Sequence, residues 1–472
     1  MQPYQLSITA AAALLASGEM SPVELTRSVL QRAHEVEPDV QAYALLCDDA
    51  AMASAMQAEQ ELTRGEHRGP LHGIPLAVKD LVATAGIATA AGSRLLDGAV
   101  PRHDAHVVTL LKSAGAVLVG KARTHEYAAG YSTPPTRNPH DLTREPGGSS
   151  GGSAATVVAR GALGAIGTDT GGSIRIPAAL CGATGLKPTY GRVSRFGVYP
   201  LSWSLDHVGP IGRDVEDVAL LLGALAGHDP RDPASLKLPS PDFTTDLDCG
   251  VAGTRLGVPS NWFWTPVSPV VKTRVSAAIA RLEEAGAELI EVQLPLADVS
   301  LAIGWSILMA EAGAYHHDSL AQRAHLFGDD VRALVEGGQT VLAGDYVRGV
   351  RARSLMQSQW HDLFERERLD ALLCPTVPVT APLVGQQLLQ WSDGTESDVL
   401  STYARWSQPA NVTGLPALSV PCGSDDLGLP IGLQVIGRPL QESTVLRIGR
   451  AYEVHADVNG RVPAPRLPVS RG

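Results

Sequence analysis

Glycine and serine stand together three times between Pro146 and Pro177, as Gly147-Gly148-Ser149-Ser150, Gly151-Gly152-Ser153 and Gly171-Gly172-Ser173. Glycine pairs bare backbone N–H donors and permit close approach, and serine adds a hydroxyl that a neighbouring base can activate. The intervening runs 154–159 and 163–167 are apolar, so this segment belongs in a core. A flexible Gly/Ser linker lacks such runs. Two readings fit it: structural turns in a glycine-rich core, or a nucleophile beside an anion hole.

The rest of the chain narrows the function. Its 472 residues suffice for a large core, in one large domain or two to three smaller ones. The net charge is −11 without long runs of one sign, which argues against nucleic acid or an anionic membrane as partner. The apolar stretch 10–16 is too short to span a bilayer, and no Lys or Arg precedes it as in a secretory signal. Five scattered cysteines (Cys47, Cys181, Cys249, Cys374 and Cys422) form no C-x-x-C pair and fit a reducing cytoplasm. Neither they nor the 14 histidines show metal-ligand spacing, so no metal and no cofactor is expected.

Hydrophobic spacing reads as alternating helices and strands. Ser21-Pro22-Val23-Glu24 supplies an N-cap, an N1 proline and a capping-box glutamate, and Leu25, Val29, Ala33 and Val36 follow at helical spacing until Pro38. Further helices are predicted over 50–62, 106–114, 214–226 and 273–285, and strands over 73–80, 116–120, 416–421 and 432–437. This is the α/β pattern, a mixed sheet covered by helices. Residues from about 228 to 395 are more irregular and Pro-rich, with Trp262, Phe263, Trp264 and Trp360. They read as an insertion or cap packed on the core.

A nucleophilic serine needs a base for its proton and donors for the oxyanion. Thr168-Asp169-Thr170-Gly171-Gly172-Ser173 can offer consecutive N–H groups beside a hydroxyl. One such donor contributes on the order of 3 kcal/mol in a transition state. Histidine is the usual base, and Gly147-Gly148-Ser149-Ser150-Gly151 does satisfy G-x-S-x-G. That motif requires a strand leading into the turn, whereas residues 137–146 read as loop, and His455 near the C-terminus has an ordinary polar context. Lysine serves better. The chain holds six lysines against 32 arginines, and only lysine can lose its proton inside a protein. Lys79 ends the apolar run Ile74-Pro75-Leu76-Ala77-Val78, so burial should lower its pKa. Moving it from about 10.4 to about 7 takes roughly 4.6 kcal/mol. A Lys79–Asp80 ion pair is the structural alternative, and Lys187 reads as a turn cap.

Together these residues resemble the amidase signature family. The resemblance rests on Gly73-Ile74-Pro75-Leu76-Ala77-Val78-Lys79-Asp80, on the first glycine-serine block after Pro146, and on Gly167 through Ser173-Ile174-Arg175-Ile176-Pro177-Ala178. It continues in Cys181-Gly182, Gly185-Leu186-Lys187-Pro188-Thr189, Ser204-Leu205-Asp206-His207-Val208-Gly209-Pro210 and Asn411-Val412-Thr413-Gly414-Leu415-Pro416-Ala417. It implies one catalytic domain over 1–472, a mixed twisted β-sheet with helices on both faces. The core would be about 60–227 and 396–460, with a variable cap over about 228–395. It also implies a Ser–cisSer–Lys triad. Ser173 is then the nucleophile, Ser149 the bridging serine after a cis peptide bond, and Lys79 the base. Backbone N–H groups of Thr170, Gly171, Gly172 and Ser173 would form the oxyanion hole. Asp169, Arg175 and Ser150 would support that turn, with a plain ion pair as the alternative for the first two. Ser150 and Ser153 also read as turn or helix-cap groups.

The implied reaction is acyl transfer to water from a small or aryl amide, or from a carbamate. The expected partner is that small molecule, and a homodimer is compatible with the sequence. The A subunit of the glutamyl-tRNA amidotransferase shares the triad, but its Asp-x-Phe-Thr segment here reads Ala404-Arg405-Trp406-Ser407. Its Thr-Glu-Asn loop is replaced by Ser132-Thr133-Pro134-Pro135-Thr136. Both departures favour a stand-alone hydrolase over that glutaminase. A non-catalytic binding protein on the same fold is the third reading, and the intact Ser/Ser/Lys set argues against it. Tyr127, Tyr131 and Trp203 are candidate pocket walls, with core packing as the alternative.

Overall fold

A computed structural model describes residues 2–456 of the chain. The strands are β1 (Tyr43–Leu46), β2 (Pro75–Lys79), β3 (Val117–Ala122), β4 (Gly164–Asp169), β5 (Thr184–Lys187), β6 (His207–Gly212), β7 (Arg255–Pro259), β8 (Glu288–Val292) and β9 (Ala371–Pro375). A small pair, β10 (Leu388–Gln390) and β11 (Glu396–Asp398), precedes β12 (Ala417–Ser424) and β13 (Pro430–Gly437). All but the small pair join one 11-stranded sheet in the order β1-β3-β2-β4-β6-β5-β12-β13-β9-β7-β8. The sheet is mixed: β2 runs parallel to β3 and β4, and β7 parallel to β8 and β9, while the middle strands are antiparallel.

The helices are α1 (Ile8–Ser17), α2 (Pro22–Val40), α3 (Asp48–Thr63), α4 (His106–Ser113), α5 (Gly151–Val158), α6 (Arg175–Cys181) and α7 (Val215–Leu225). Then come α8 (Pro269–Glu284), α9 (Ser300–Tyr315), α10 (His317–Arg323), α11 (Asp329–Gln339), α12 (Ala343–Arg366), α13 (Val399–Thr413) and α14 (Glu442–His455). The strands feed two apolar layers by their period of two. On β13, Leu433 and Val435 enter the larger cluster with Val445 and Leu446 of α14, while Ile436 turns to the second cluster with Trp360 and Trp406. Each such buried side chain contributes about 1.5–3 kcal/mol relative to exposure.

Local chemistry explains the element ends. The Ser21–Glu24 capping box opens α2 with both reciprocal bonds made. Contrary to expectation, α2 passes Pro38 and runs to Val40. Proline removes only one N–H there, and the Glu37 carboxylate accepts the amides of Ala42 and Tyr43 at 3.0 and 3.1 Å, tying off the helix end.

Residues 228–395, expected to be packed on the core, supply β7, β8 and β9 of the sheet itself as well as α9 to α12. That run carries none of the motifs that mark the other strands. The end of the expected core segment, from 457 onward, lies outside the described residues. Among the described residues no helix is long and apolar enough to cross a membrane.

Two features position the candidate groups. β2 and β4 are parallel neighbours with Val78 opposite Ile166, so Lys79 and Thr168 leave the sheet at the same carboxyl edge. In open α/β sheets that edge is where ligand sites form. The short helices α5 and α6 start at the two glycine-serine turns and pack together beneath this edge.

Candidate active site

Lys79 is the last residue of β2 and its side chain is wholly buried. Its Nζ donates to Ser149 Oγ at 2.8 Å and to Thr168 Oγ1 at 2.7 Å. Burial pushes its pKa well below the ordinary lysine value, and the negative charges of Asp169 and Asp206 oppose that only in part. The Lys79–Asp80 pair is not formed. Asp80 instead faces Lys121, with Oδ1 and Nζ 3.7 Å apart. Lys187 donates to the Pro188 carbonyl at 2.9 Å, within its own turn.

The Gly148–Ser149 peptide is cis. The backbone there is tied on both sides: Ser149 O accepts from His125 N at 3.2 Å, and Thr133 Oγ1 donates to Gly147 O at 2.9 Å. A Cβ on Gly148 would stand 2.2 Å from the Ser132 carbonyl oxygen, so only glycine fits that approach. Ser150 is a strand tie and not a side-chain cap. Its hydroxyl donates to Thr168 O at 3.0 Å and accepts from Thr168 N at 3.2 Å. Ser153 likewise donates to Ile166 O at 3.2 Å, so both bind α5 to β4.

Ser173 sits two residues before α6 and is joined to the first block by Ser150 N donating to its carbonyl at 3.1 Å. Its hydroxyl has no hydrogen-bond partner among the described residues and lines a narrow pocket. The expected quartet of donors is reduced by one, because the Gly172 amide donates to Asp169 Oδ1 at 2.8 Å. The amides of Thr170, Gly171 and Ser173 donate to no acceptor among the described residues. Gly172 has φ +124°, and a Cβ there would meet Ser407 Oγ at 2.2 Å.

Asp169 and Arg175 hold this turn from below, both 0% exposed. Arg175 clamps the carboxylate in bidentate fashion at 2.9 and 3.0 Å. It also donates to Gln434 Oε1 at 2.7 Å, Asn411 Oδ1 at 2.5 Å and Ser407 O at 2.9 Å. Asp169 in turn accepts the amides of Gly172 and Ile174. Burial pushes the Asp169 carboxyl up, but the Arg175 guanidinium with its hydrogen bonds, then Lys187 and Asn411, hold it well below the usual carboxylate range. A buried charge needs such full satisfaction.

The predicted pocket walls separate. Tyr131 lines the narrow pocket over Ser173 and donates to Gly171 O at 3.4 Å. Trp203 lines an adjoining cavity of about 330 Å³ with Thr168, Thr170 and Asp206. Tyr127 lines neither; it packs edge-on against His316 at 4.3 Å between ring centroids, inside the second apolar cluster. Asp206 carried no predicted role. It accepts from Thr170 Oγ1 at 2.6 Å and from the amides of Leu201 and Ser202. Burial raises its pKa to about 6, and the bonds from Thr170, Ser202 and Leu201 oppose that rise. Its position inside the Ser204–Pro210 motif was the available signal.

A buried amine, two hydroxyls and a turn of free amides form a set suited to acyl transfer. Comparison with known proteins gives the same direction. The amidase family model matches residues 24–446. An amidase of Pseudomonas putida is 46% identical over 452 residues, covering 95% of this chain and 96% of that one. The A subunit of the glutamyl-tRNA(Gln) amidotransferase of Chloroflexus aurantiacus is 42% identical, covering 95% and 96%. Among solved structures, a chain of a vestigial protein complex that bears on the origins of an s-triazine catabolic enzyme superposes with a TM-score of 0.92. It is 33% identical, with coverage of 97% of this chain and 100% of that one. With this match over nearly its whole length, the chain belongs to the amidase family.

Proposed function

We propose that this amidase hydrolyses the carbon–nitrogen bond of a small or aryl amide, or of a carbamate, through an acyl-enzyme on Ser173. The observation that carries the reading is the 2.8 Å contact between the wholly buried Lys79 Nζ and Ser149 Oγ, with no carboxylate among the described residues in hydrogen-bond reach of the amine. Burial favours the neutral amine, which is the form that can accept a proton.

In the proposed cycle, neutral Lys79 takes the Ser149 proton as Ser149 takes that of Ser173. Ser173 Oγ attacks the carbonyl carbon, and the amides of Thr170, Gly171 and Ser173 receive the oxyanion. The tetrahedral centre collapses, the C–N bond breaks, and Ser149 returns a proton to the departing nitrogen. Water then loses a proton to the same relay, attacks the ester, and releases the acid and free Ser173. The Ser173–Ser149 bond is absent before substrate binds, and such bonds commonly tighten only in the complex. Asp169 and Arg175 fix the turn and take no proton.

The 42% identity to an amidotransferase A subunit favours a second reading, glutaminase chemistry with a partner subunit. Segment 404–407 offers no carboxylate for an amino group. Arg405 lies over the Trp262 ring at 3.7 Å, and Ser407 donates to Gly171 O. Assay of the purified chain alone on glutamine, an anilide and an alkyl carbamate separates the two. Turnover of the anilide or carbamate without a partner is expected. Glutamine turnover confined to a partner-bound form would replace this reading.

A further inference from the structure

Resting on the hydrolase reading above, we propose that Ser407 and Tyr131 are positioning residues of this reaction. Their hydroxyls pin the Gly171–Gly172 peptide and so aim the free amides of Gly171 and Ser173 at the oxyanion. Both hydroxyls donate to the Gly171 carbonyl, Ser407 Oγ directly above it in contact and Tyr131 OH from 3.4 Å. The other end of the same peptide is held as well, because Gly172 N donates to Asp169 Oδ1 at 2.8 Å. Carbonyl and N–H are both tied, which leaves the peptide one orientation.

A peptide between two glycines needs such ties, since neither residue restricts its tilt as a side chain would. The free amides of Gly171 and Ser173 flank it, and both residues line the narrow pocket. The tilt of the peptide between them therefore sets the angle at which the two donors converge. Oxyanion donors are effective when their geometry is fixed before the charge develops.

One anchor serves both ends of the peptide. Arg175 clamps Asp169, which holds the N–H, and its Nη1 donates to the Ser407 carbonyl at 2.9 Å. Ser407 is wholly buried and does not line the pocket, so it acts on the turn and not on the substrate. Its hydroxyl has a single proton to give. Within α13 the carbonyls of Tyr403 and Ala404 stand 3.1 and 3.4 Å away and offer the usual helical back-bond. The Gly171 carbonyl is nearer and takes the proton. A Cβ on Gly171 would collide with Tyr131 OH and stand 2.7 Å from Gln408 Oε1, so α13 and Tyr131 lie directly against the turn.

The rate at which a fluorophosphonate labels Ser173 tests this without a known substrate, because the phosphonyl oxygen enters the same hole. The Oγ–P bond forms, the P–F bond breaks, fluoride leaves, and the serine proton passes to the Lys79 relay. Ser407→Ala is expected to lower the limiting rate about tenfold, part of the roughly 10²–10³ lost with a whole donor, and to leave the half-saturating concentration within about twofold. Tyr131→Phe keeps the ring and gives up the weaker bond, so a smaller loss in the same direction is expected. Ser407→Thr keeps the hydroxyl and is expected to restore the rate. The acid limb of the rate's pH profile should stay in place in every variant, since neither hydroxyl contacts Lys79. An unchanged rate in Ser407→Ala, a loss that threonine does not rescue, or a limb that moves overturns the proposal and leaves the hydrolase reading standing. Alanine favours the helix, so α13 is expected to form in that variant. If the variant does not fold, an unchanged rate in Tyr131→Phe overturns the proposal instead. A wild-type Ser173 that takes no label removes the hydrolase reading as well.

Discussion

Among the described residues Lys79 Nζ meets two hydroxyls and no carboxylate at contact distance, so burial lowers its pKa and the more distant charges of Asp169 and Asp206 oppose that in part. Lys79→Arg keeps a cation but cannot release its proton, and is expected to lower kcat by about 10²–10⁴, the range of a lost general base. A variant with near wild-type turnover would remove Lys79 from the relay. Asp206 supplies a pH test. Its carboxylate, with a pKa raised to about 6, favours the charged form of Lys79 once ionised. Asp206→Asn removes that support, so Lys79 loses its proton at lower pH. The acid limb of kcat/KM should therefore move to lower pH in the variant's pH–rate profile. A limb that stays or moves upward contradicts the coupling. Lys79, Ser149 and Ser173 were legible as candidates because the proposed relay demands particular residue types in fixed text. Thr168 was not, since a threonine in a strand is ordinary, and Tyr127 misled because an aromatic near a motif is as often core.

At the scale of elements, two short helices begin at the glycine-serine turns and are tied to β4 and β13 by buried polar bonds. Arg175→Ala leaves Asp169 a buried, unpaired carboxylate. The expected loss is about 3–5 kcal/mol in urea unfolding, the cost of breaking a buried pair. Ser150→Ala removes a donor and an acceptor bond to Thr168, for an expected loss of about 1–3 kcal/mol. Equal, small losses in both variants would show that the network is not what fixes the turn. The regular helices were legible from capping and periodicity, as at Ser21–Glu24. The end of α2 was not, because Glu37 reaches past it to the amides of Ala42 and Tyr43, a contact that no local rule contains.

Over the whole molecule, the site is assembled from distant stretches of chain. Arg175 is held by Ser407, Asn411 and Gln434, more than 230 positions later, and the narrow pocket is walled by side chains of α9, α11 and α13. The carboxyl edge of β2 and β4 gathers these parts, while β7 to β9 complete the sheet from the run whose sequence looked least regular. Convergence of that kind has no local periodicity to announce it, so the reaction class was legible and the cavity walls were not. The central claim is a covalent acyl-enzyme on Ser173. Acid quench during turnover of p-nitrophenyl acetate, followed by fragment mass spectrometry, reads it directly. The prediction is an acetyl group on Ser173 in the wild type and none in Ser173→Ala. Acetyl on Ser149 or elsewhere, or turnover with no adduct at all, would contradict it.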